Sequence, residues 1–403
     1  MKKNNSKIYI SNYWWNYNNY GAILTGYAIH NLVDNSIMID DLNIWIHKLV
    51  NKKYNFSIDF KQKYLKIFNP KSNYKNLVLL NNYSKTFITG SDQVFRLCSN
   101  QNERLHHYLL NFAALDSKKI AFSASFGFDK AELLQLTSRE NINIAKNALK
   151  SFDFISVREK SGVEICRDIF DVDAEWIIDP VFILEKTKYD ELIDNATKDY
   201  SNKIVSYVLD NNKSYDKAYR RLEKQHCSRV IKLADSNESV ENWLSAIKNC
   251  KLFVTDSFHG LCFALIFNKP FICISNKARG ATRFDSILEM LNIENQCINS
   301  IDEIYTKNCI FKVDYEKVNQ RIEEERQKGL AFLQKALESP VGKFEEKQAV
   351  RTQYLEETVC KLEQQANLKY QIKKELWNLW LIIFHKYLPE PVKNIIRKIR
   401  GSK

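Results

Sequence analysis

The chain has 403 residues, of which 45% are hydrophobic and 27% are charged, the composition of a soluble globular protein with room for two domains. No stretch reaches the about 20 apolar residues that a membrane-spanning helix needs. The formal net charge is +12, and the 35 residues from Lys369 onward contribute +7 of it, through nine Lys or Arg and two Glu. Because the charge is concentrated in a tail, we do not expect a nucleic-acid-binding body.

Strands and helices alternate along the first half of the chain. Short apolar runs predict strands at 7–11, 36–40, 87–90, 119–125 and 154–157, and longer amphipathic stretches predict helices at 21–33 and 138–152. "AEWIIDPVFIL" (174–184) closes this half, because Asp179-Pro180 interrupts regular structure. The alternation predicts βαβ units and a mostly parallel sheet.

A second alternation follows, with strands predicted at 203–210, 229–235, 252–256 and 271–275. From about Tyr315 to Glu338 the pattern becomes helical and charged. We therefore predict an α/β fold with two Rossmann-like domains facing a cleft. The N-terminal domain is expected over 1–185, the C-terminal domain over 186–340, and a helical tail over 341–403.

Three polar clusters directly follow predicted strands, where open parallel sheets bind their ligands. They are "GSDQVF" with Gly90, Ser91 and Asp92, "SVREKSG" with Arg158, and "TDSFHG" with Asp256, Ser257, His259 and Gly260. In the third cluster a helix opens at His259, and a helix N-terminus favours an anion. Arg binds carboxylate or phosphate in a fork, and His transfers protons near neutral pH. Together they predict a site for a phosphorylated or carboxylated substrate.

Each of these residues also has a purely structural interpretation. His259 would cap or pack a helix, Arg158 would pair with the neighbouring Glu159, Asp92 would cap a helix, and the two glycines would serve turns. Three clusters that come from separate strands and share one sheet edge favour the functional interpretation.

Seven stretches, taken in order, resemble the polysaccharide pyruvyl transferase family. They are "NNYGAILTGYAI" (18–29), "FITGSDQVF" (87–95), "FSASFG" (122–127), "FISVREKSGVEIC" (154–166), "IIDPVFIL" (177–184), "TDSFHGLCFALIFNKPF" (255–271) and "RFDSILEMLNI" (283–293). The resemblance implies a GT-B-like fold. It also implies transfer of a pyruvyl group from phosphoenolpyruvate to two hydroxyls of a sugar, giving a pyruvate ketal and phosphate.

The resemblance assigns roles to particular residues. His259 matches the family's histidine and is expected to be catalytic, while Arg158 and Arg283 match its arginines and are expected to bind substrate together with the polar residues of the clusters. No metal and no cofactor is expected, and phosphoenolpyruvate is expected to act as a co-substrate. Where the family usually has Trp and Asn after "GSDQV", this chain has Phe95 and Arg96, and that departure bears on the acceptor pocket.

Two other functions stay open. The first is a glycosyltransferase that uses a nucleotide sugar, because fold alone does not fix function. The second is a non-catalytic, membrane-associated member of the family. The acceptor sugar, its linkage, its attachment to a lipid and the formation of a homo-oligomer are also left open.

The ends of the chain indicate where the protein works. The N-terminus lacks the apolar core of a secretory signal, and nine cysteines without a CxxC pair suit a reducing compartment, so we expect a cytoplasmic protein.

In the tail (375–403), Trp377 and Trp380 suit a membrane interface. One helical face is apolar, with Val392, Ile395, Ile396 and Ile399, and the cations Lys393, Arg397, Lys398 and Arg400 lie elsewhere. This pattern predicts peripheral binding to the anionic inner face of the cell membrane, with packing on the body or on a second subunit as the alternative.

Overall fold

A computed structural model describes residues 7–12, 19–40, 56–71, 73–97, 102–275, 282–305, 313–342 and 344–387. The chain divides into two compact units, Met1–Phe344 and Glu345–Lys403. The first unit contains two parallel β-sheets with their helices, and the second contains most of one long helix.

Within the described residues, the first sheet has seven strands in the order β3-β2-β1-β4-β5-β6-β7, and every neighbouring pair is parallel. Most of its strand residues are buried, as expected for a sheet covered on both faces. The strands are β1 (Ile8–Ser11), β2 (Ser36–Ile39), β3 (Ile67–Phe68), β4 (Thr86–Thr89), β5 (Lys118–Ala124), β6 (Phe154–Val157) and β7 (Glu175–Trp176).

In the part of the chain that the structure describes, the second sheet has four parallel strands in the order β11-β10-β8-β9. They are β8 (Ile204–Tyr207), β9 (Val230–Lys232), β10 (Leu252–Thr255) and β11 (Phe271–Cys273). The chain passes from the first sheet to the second between β7 and β8, a stretch that contains the predicted domain boundary at 185. These two parallel sheets confirm the predicted α/β fold class.

The helices lie mainly between successive strands, as βαβ topology requires. They are α1 (Tyr20–Leu32), α2 (Phe56–Tyr64), α3 (Tyr74–Val78), α4 (Asn102–Tyr108), α5 (Lys130–Leu136), α6 (Arg139–Leu149), α7 (Lys160–Ile165), α8 (Pro180–Ile183), α9 (Lys186–Ile193), α10 (Lys213–His226), α11 (Val240–Asn249), α12 (Phe258–Ile266), α13 (Thr282–Met290), α14 (Tyr315–Glu338) and α15 (Phe344–Tyr387). A π-helical turn (Cys166–Phe170) extends α7, and 3₁₀ turns occur at Leu79–Asn82 and Ile301–Tyr305.

Each sheet has one point where the strand order reverses. In the first sheet β1 lies between β2 and β4, and in the second β8 lies between β9 and β10. At such a switch point the connections leave to opposite faces and open a crevice beyond the strand ends. Helix α1 follows β1 and helix α12 follows β10, so both switch points are bordered by a helix N-terminus.

A continuous core joins the two sheets and fixes these switch points against each other. The ring of Tyr20, at the start of α1, stacks on Trp243 of α11 at 4.8 Å and on Phe56 of α2 at 4.1 Å between ring centroids. Helix α14 bridges the sheets as well, because Tyr315 donates a hydrogen bond to the carbonyl of Lys269 while Phe332 stacks on Phe122 of β5.

The tail begins as a helix. Helix α15 runs through Trp377 and Trp380, whose side chains are not described, and the apolar face predicted for 392–399 lies outside the described residues. Among the helices in the described part of the chain, none combines the length and apolar character that crossing a bilayer requires.

Candidate active site

The N-termini of α1 and α12 meet where the two switch points face each other. Asn19 caps α1 by accepting a hydrogen bond from the N–H of Ala22 (3.2 Å), and Ser257 caps α12 by accepting one from Gly260 (3.3 Å). Gly21 lies directly against the imidazole of His259. A Cβ at position 21 would lie 2.6 Å from Cγ and 2.9 Å from Cε1 of that ring, and closer still to Nδ1. The two helices therefore approach each other only because position 21 has no side chain.

His259 is the ionisable group at this junction, and it is largely buried. Its Nε2 lies 3.1 Å from Oγ1 of Thr25 in α1 and 3.6 Å from Oδ2 of Asp179, which follows β7. Both neighbours lie in segments that follow strands of the first sheet, β1 and β7, although His259 follows a strand of the second. Sequence reasoning missed both, because Asp179-Pro180 has the pattern of a break in regular structure and Thr25 lies inside an apolar helix.

Arg158, directly after β6, is enclosed by three carboxylates. Its guanidinium donates to Asp179 (2.6 Å) and Asp92 (3.1 Å), lies 3.4 Å from Glu159, and stacks on the Phe258 ring at 4.7 Å. Burial alone would lower the pKa of Arg158, but the three carboxylates raise it above its ordinary value. The side chain is 1% exposed, so Arg158 acts in this structure as a clamp that holds Asp179 beside His259. Its predicted contact with substrate stays a prediction.

Asp179 is the centre of this network. Its Oδ2 accepts hydrogen bonds from Arg158 and from the hydroxyl of Ser91 (3.1 Å), and its Oδ1 accepts from the N–H of Val181 (3.1 Å). Burial would raise the pKa of Asp179, but its interaction with His259 and the charge of Arg158 bring the pKa below the ordinary value. Asp179 is therefore a buried, ionised group fixed on several sides.

The "GSDQVF" cluster contributes to the same network from the end of β4. Ser91 contacts Asp179, and Asp92, in the left-handed region at φ 63°, accepts from Arg158. A Cβ at Gly90 would lie 2.6 Å from the Ile29 side chain and 2.8 Å from Oδ1 of Asn12, so a larger residue would not fit there. The structure thus brings the first two predicted clusters together around Asp179.

The remaining residues of the "TDSFHG" cluster build the strand end that carries His259. The carboxylate of Asp256 accepts hydrogen bonds from the N–H groups of Leu209 (2.7 Å) and Asp210 (3.1 Å), and thereby fixes the loop after β8. Ser257 caps α12, and a Cβ at Gly260 would collide with the side chain of Thr255. These three contacts are structural, and binding of substrate by these residues stays a prediction.

Arg283, in the first turn of α13, is the second guanidinium near Phe258, at 5.5 Å from the ring centroid. It is only partly buried, in contrast to Arg158. Burial and, to a smaller extent, the charge of Arg158 lower the pKa of Arg283 to about 10. The carboxylates of Asp92 and Glu159 raise this pKa, but by less than the other two effects lower it. Arg283 is still cationic at neutral pH, in surroundings that would favour an added anion.

Glu159 is a further buried carboxyl group of the network. Its Oε1 accepts a hydrogen bond from the hydroxyl of Ser125, while its buried Oε2 has no hydrogen-bond partner among the described residues. Burial raises the pKa of Glu159 against the opposing effect of Arg158.

Of the two residues that depart from the family pattern after "GSDQV", Phe95 lies in the core and Arg96 lies nearer the surface. Phe95 is fully buried, with its ring 5.3 Å from that of Phe126, so this substitution changes core packing. Arg96 is partly exposed; it donates to Gln93 (2.8 Å) and its guanidinium lies 4.5 Å from the Phe128 ring centroid.

The arrangement combines features for anion binding and for proton transfer. Two helix N-termini and Arg283 favour a negatively charged ligand, and His259 lies between the helices with a fixed ring. Within the described part of the chain, no group of three or more His, Cys, Asp or Glu side chains is placed to hold a metal ion.

Comparisons with known proteins agree with this description. The family model for polysaccharide pyruvyl transferase matches residues 19–278, more than half of the chain. No curated protein matches the sequence significantly. Three solved structures of low sequence identity are similar to this chain over most of its length. The UDP-GlcNAc 2-epimerase from Neisseria meningitidis is 10% identical, with 82% of this chain and 100% of that chain covered and a TM-score of 0.49. The ADP-heptose LPS heptosyltransferase II from E. coli is 9% identical, with 80% of this chain and 99% of that chain covered and a TM-score of 0.33. UGT2 from Phytolacca americana is 9% identical, with 89% of this chain and 100% of that chain covered and a TM-score of 0.43.

Proposed function

Because the chain belongs to the polysaccharide pyruvyl transferase family, as its motifs predict, and is therefore a transferase, we propose that it pyruvylates a sugar with phosphoenolpyruvate as donor. The acceptor is a sugar of a polysaccharide or of its lipid-linked precursor. The product is a pyruvate ketal that spans two hydroxyls. The observation that carries the proposal is the meeting of two helix N-termini, an arginine and His259 at one point.

The donor requires such a site because it carries a phosphate and a carboxylate. The first N–H groups of a helix have no partner within the helix and point outward at its positive end. Helices α1 and α12 both direct this end to the junction at His259. Arg283 adds a cation beside them. Since Arg158 is engaged with three carboxylates, the donor's anionic groups are proposed to meet Arg283 and the two helix ends.

Ketal formation moves two protons. The methylene carbon of the donor gains one and becomes a methyl group, which leaves the adjacent carbon electrophilic. Two sugar hydroxyls add to that carbon, each loses its proton, and the carbon–oxygen bond to phosphate breaks. One hydroxyl proton balances the proton gained by the methyl group, and the other leaves with the phosphate. His259 is proposed to take a hydroxyl proton and to return it to the donor, a role worth roughly 10²–10⁴-fold in rate.

The experiment that tests the proposal incubates the full chain with phosphoenolpyruvate and candidate lipid-linked sugars. Release of phosphate that depends on the acceptor, together with a mass gain of one pyruvyl group on that acceptor, is expected. Parallel reactions with nucleotide sugars examine the glycosyltransferase alternative. Transfer of a sugar from a nucleotide donor, without phosphate release from phosphoenolpyruvate, would reject the proposal.

We also propose that the enzyme works at the cytoplasmic face of the membrane, held there by the tail at 375–403. The support is the sequence pattern of cations and apolar residues, which suits an interfacial helix on anionic lipid. A lipid-linked acceptor would be delivered at the same surface.

A further inference from the structure

We infer that His259 carries its proton on Nε2, exchanges protons with substrate through Nδ1, and is held in this tautomer by the hydroxyl of Thr25. The assignment of the tautomer stands on geometry alone. The part that concerns turnover rests on the proposed function.

The hydroxyl of Thr25 decides which imidazole nitrogen is protonated. A hydroxyl has one proton to donate, and that of Thr25 goes to the carbonyl of Gly21, at 2.8 Å, one helical turn earlier. Its oxygen also lies 3.1 Å from Nε2 of His259. With its only proton committed, the oxygen can take part in this second bond only as an acceptor. Nε2 therefore has to supply the hydrogen.

The second neighbour of Nε2, Asp179, also requires a hydrogen on this nitrogen. Oδ2 of Asp179 lies 3.6 Å from Nε2, and an ionised carboxylate only accepts hydrogen bonds. Arg158 at 2.6 Å keeps this carboxylate ionised and in place. Nε2 thus faces two acceptors, and a lone pair on Nε2 would be repelled by both.

A neutral imidazole that is protonated on Nε2 has its lone pair on Nδ1. This atom lies over Gly21, at the junction of the two helix N-termini, and it has no hydrogen-bond partner among the described residues. It is therefore the nitrogen that can take a proton from a bound hydroxyl. Thr25 is a positioning residue in this scheme, because it acts on the substrate only through His259.

The tautomer can be measured without any turnover. The full chain is labelled with ¹⁵N-histidine, and the ring signals are recorded at a pH where His259 is neutral. The His259→Gln variant identifies them by their loss among the seven histidines. We expect Nε2 in the range of a protonated ring nitrogen and Nδ1 in that of an unprotonated one. The opposite assignment would overturn the inference.

The kinetic test compares Thr25→Val, which keeps the shape and removes the hydroxyl, with Thr25→Ser, which keeps the hydroxyl. Thr137→Val is the matched control, because the buried hydroxyl of Thr137 has no partner among the described residues. We expect kcat of Thr25→Val to fall about tenfold with little change in donor KM, the usual scale for one hydrogen bond that orients a catalytic group. Thr25→Ser and Thr137→Val should retain most of the wild-type kcat.

Two kinetic outcomes would contradict the inference. Wild-type kcat in a folded Thr25→Val protein would show that the hydroxyl does not matter. Equal loss in Thr25→Ser, which keeps the hydroxyl, and in Thr25→Val would show that the loss comes from altered packing and not from removal of the hydroxyl. If Thr25→Val does not fold, the ring signals of the wild type still test the tautomer, and the kcat of Thr25→Ser still tests the role of the hydroxyl. If the wild type releases no phosphate from any donor, the proposed function fails while the tautomer is judged on its spectrum.

Discussion

Replacing Gly21 by alanine should displace the imidazole ring of His259, and the size of the effect follows from the structure. The new Cβ would lie 2.6 Å from Cγ of His259, whereas non-bonded carbon atoms ordinarily lie about 3.5–4.0 Å apart. Overpacking of this kind costs roughly 1–3 kcal/mol. Alanine in place of glycine within a helix stabilises the protein by about 1 kcal/mol. We therefore expect Gly21→Ala to reduce the free energy of unfolding by roughly 0–2 kcal/mol.

The sign of this effect should reverse when the ring of His259 is absent. In the His259→Ala background the side chain that blocks the Cβ is removed, so only the gain in helix propensity is left. Gly21→Ala should then stabilise the protein by up to about 1 kcal/mol. The coupling energy between the two positions should be about 1–3 kcal/mol, in the range found for residues in direct contact.

Denaturant unfolding of the wild type, both single variants and the double variant measures this coupling. Gly342→Ala is the control, because its added Cβ would meet only Oδ1 of Asp153 at an ordinary 3.5 Å. Turnover of Gly21→Ala should fall about 10²-fold, the effect of misplacing a catalytic group by about 1 Å. An equal change in the free energy of unfolding in both backgrounds would refute the contact between Gly21 and the ring.

Three further outcomes are expected. His259→Gln should stay folded by its melting curve and lose roughly 10²–10⁴-fold in phosphate release, because an amide does not exchange protons at neutral pH; near wild-type turnover would remove His259 from the chemistry. Arg158→Lys should lower the melting temperature, because one ammonium group does not span Asp179, Asp92 and Glu159; a rise in donor KM in folded protein would support direct binding as well, and unchanged stability would contradict the clamp. Truncation to residues 1–370 should remove most sedimentation with anionic vesicles, since each cation near such a surface contributes about 1 kcal/mol; equal partitioning of both proteins would reject the membrane role of the tail.

The strands and the first polar clusters were predictable because their signals are local. Predicted strands such as 36–40 and 252–256 lie within a residue of the observed ones, since buried parallel strands appear as short apolar runs. Helix α14 begins and ends where its charged pattern does. Helix α5 was not predicted, because Leu134 and Leu136 are exposed and its pattern does not show a buried face. Strand β3 has two residues, too few for any periodicity.

The partners of His259 were not predictable because they arise from contacts between distant parts of the chain. Thr25 is 234 positions from His259, and nothing in "GAILTGYAI" marks its hydroxyl as part of a site. Arg158 had a clear sequence signal, but whether it meets a ligand or carboxylates depends on Asp92 and Asp179, 66 and 21 positions away. A sequence pattern identifies which residues reach a sheet edge, and tertiary packing decides which of them face each other.

The site is completed only by contact between the two sheets. His259 follows a strand of the second sheet, but its ring is fixed by Gly21 and Thr25 of α1 and by Asp179 after β7, which all lie in segments that follow strands of the first sheet. Asp179 is in turn held by Arg158, which follows a third strand of that sheet. A movement that separates the sheets would therefore break the contacts of the His259 ring and, at the same time, move the two helix N-termini apart. The stack of Tyr20 on Trp243, which joins the two halves of the site one residue before Gly21, thus keeps His259 aligned with the proposed anion site.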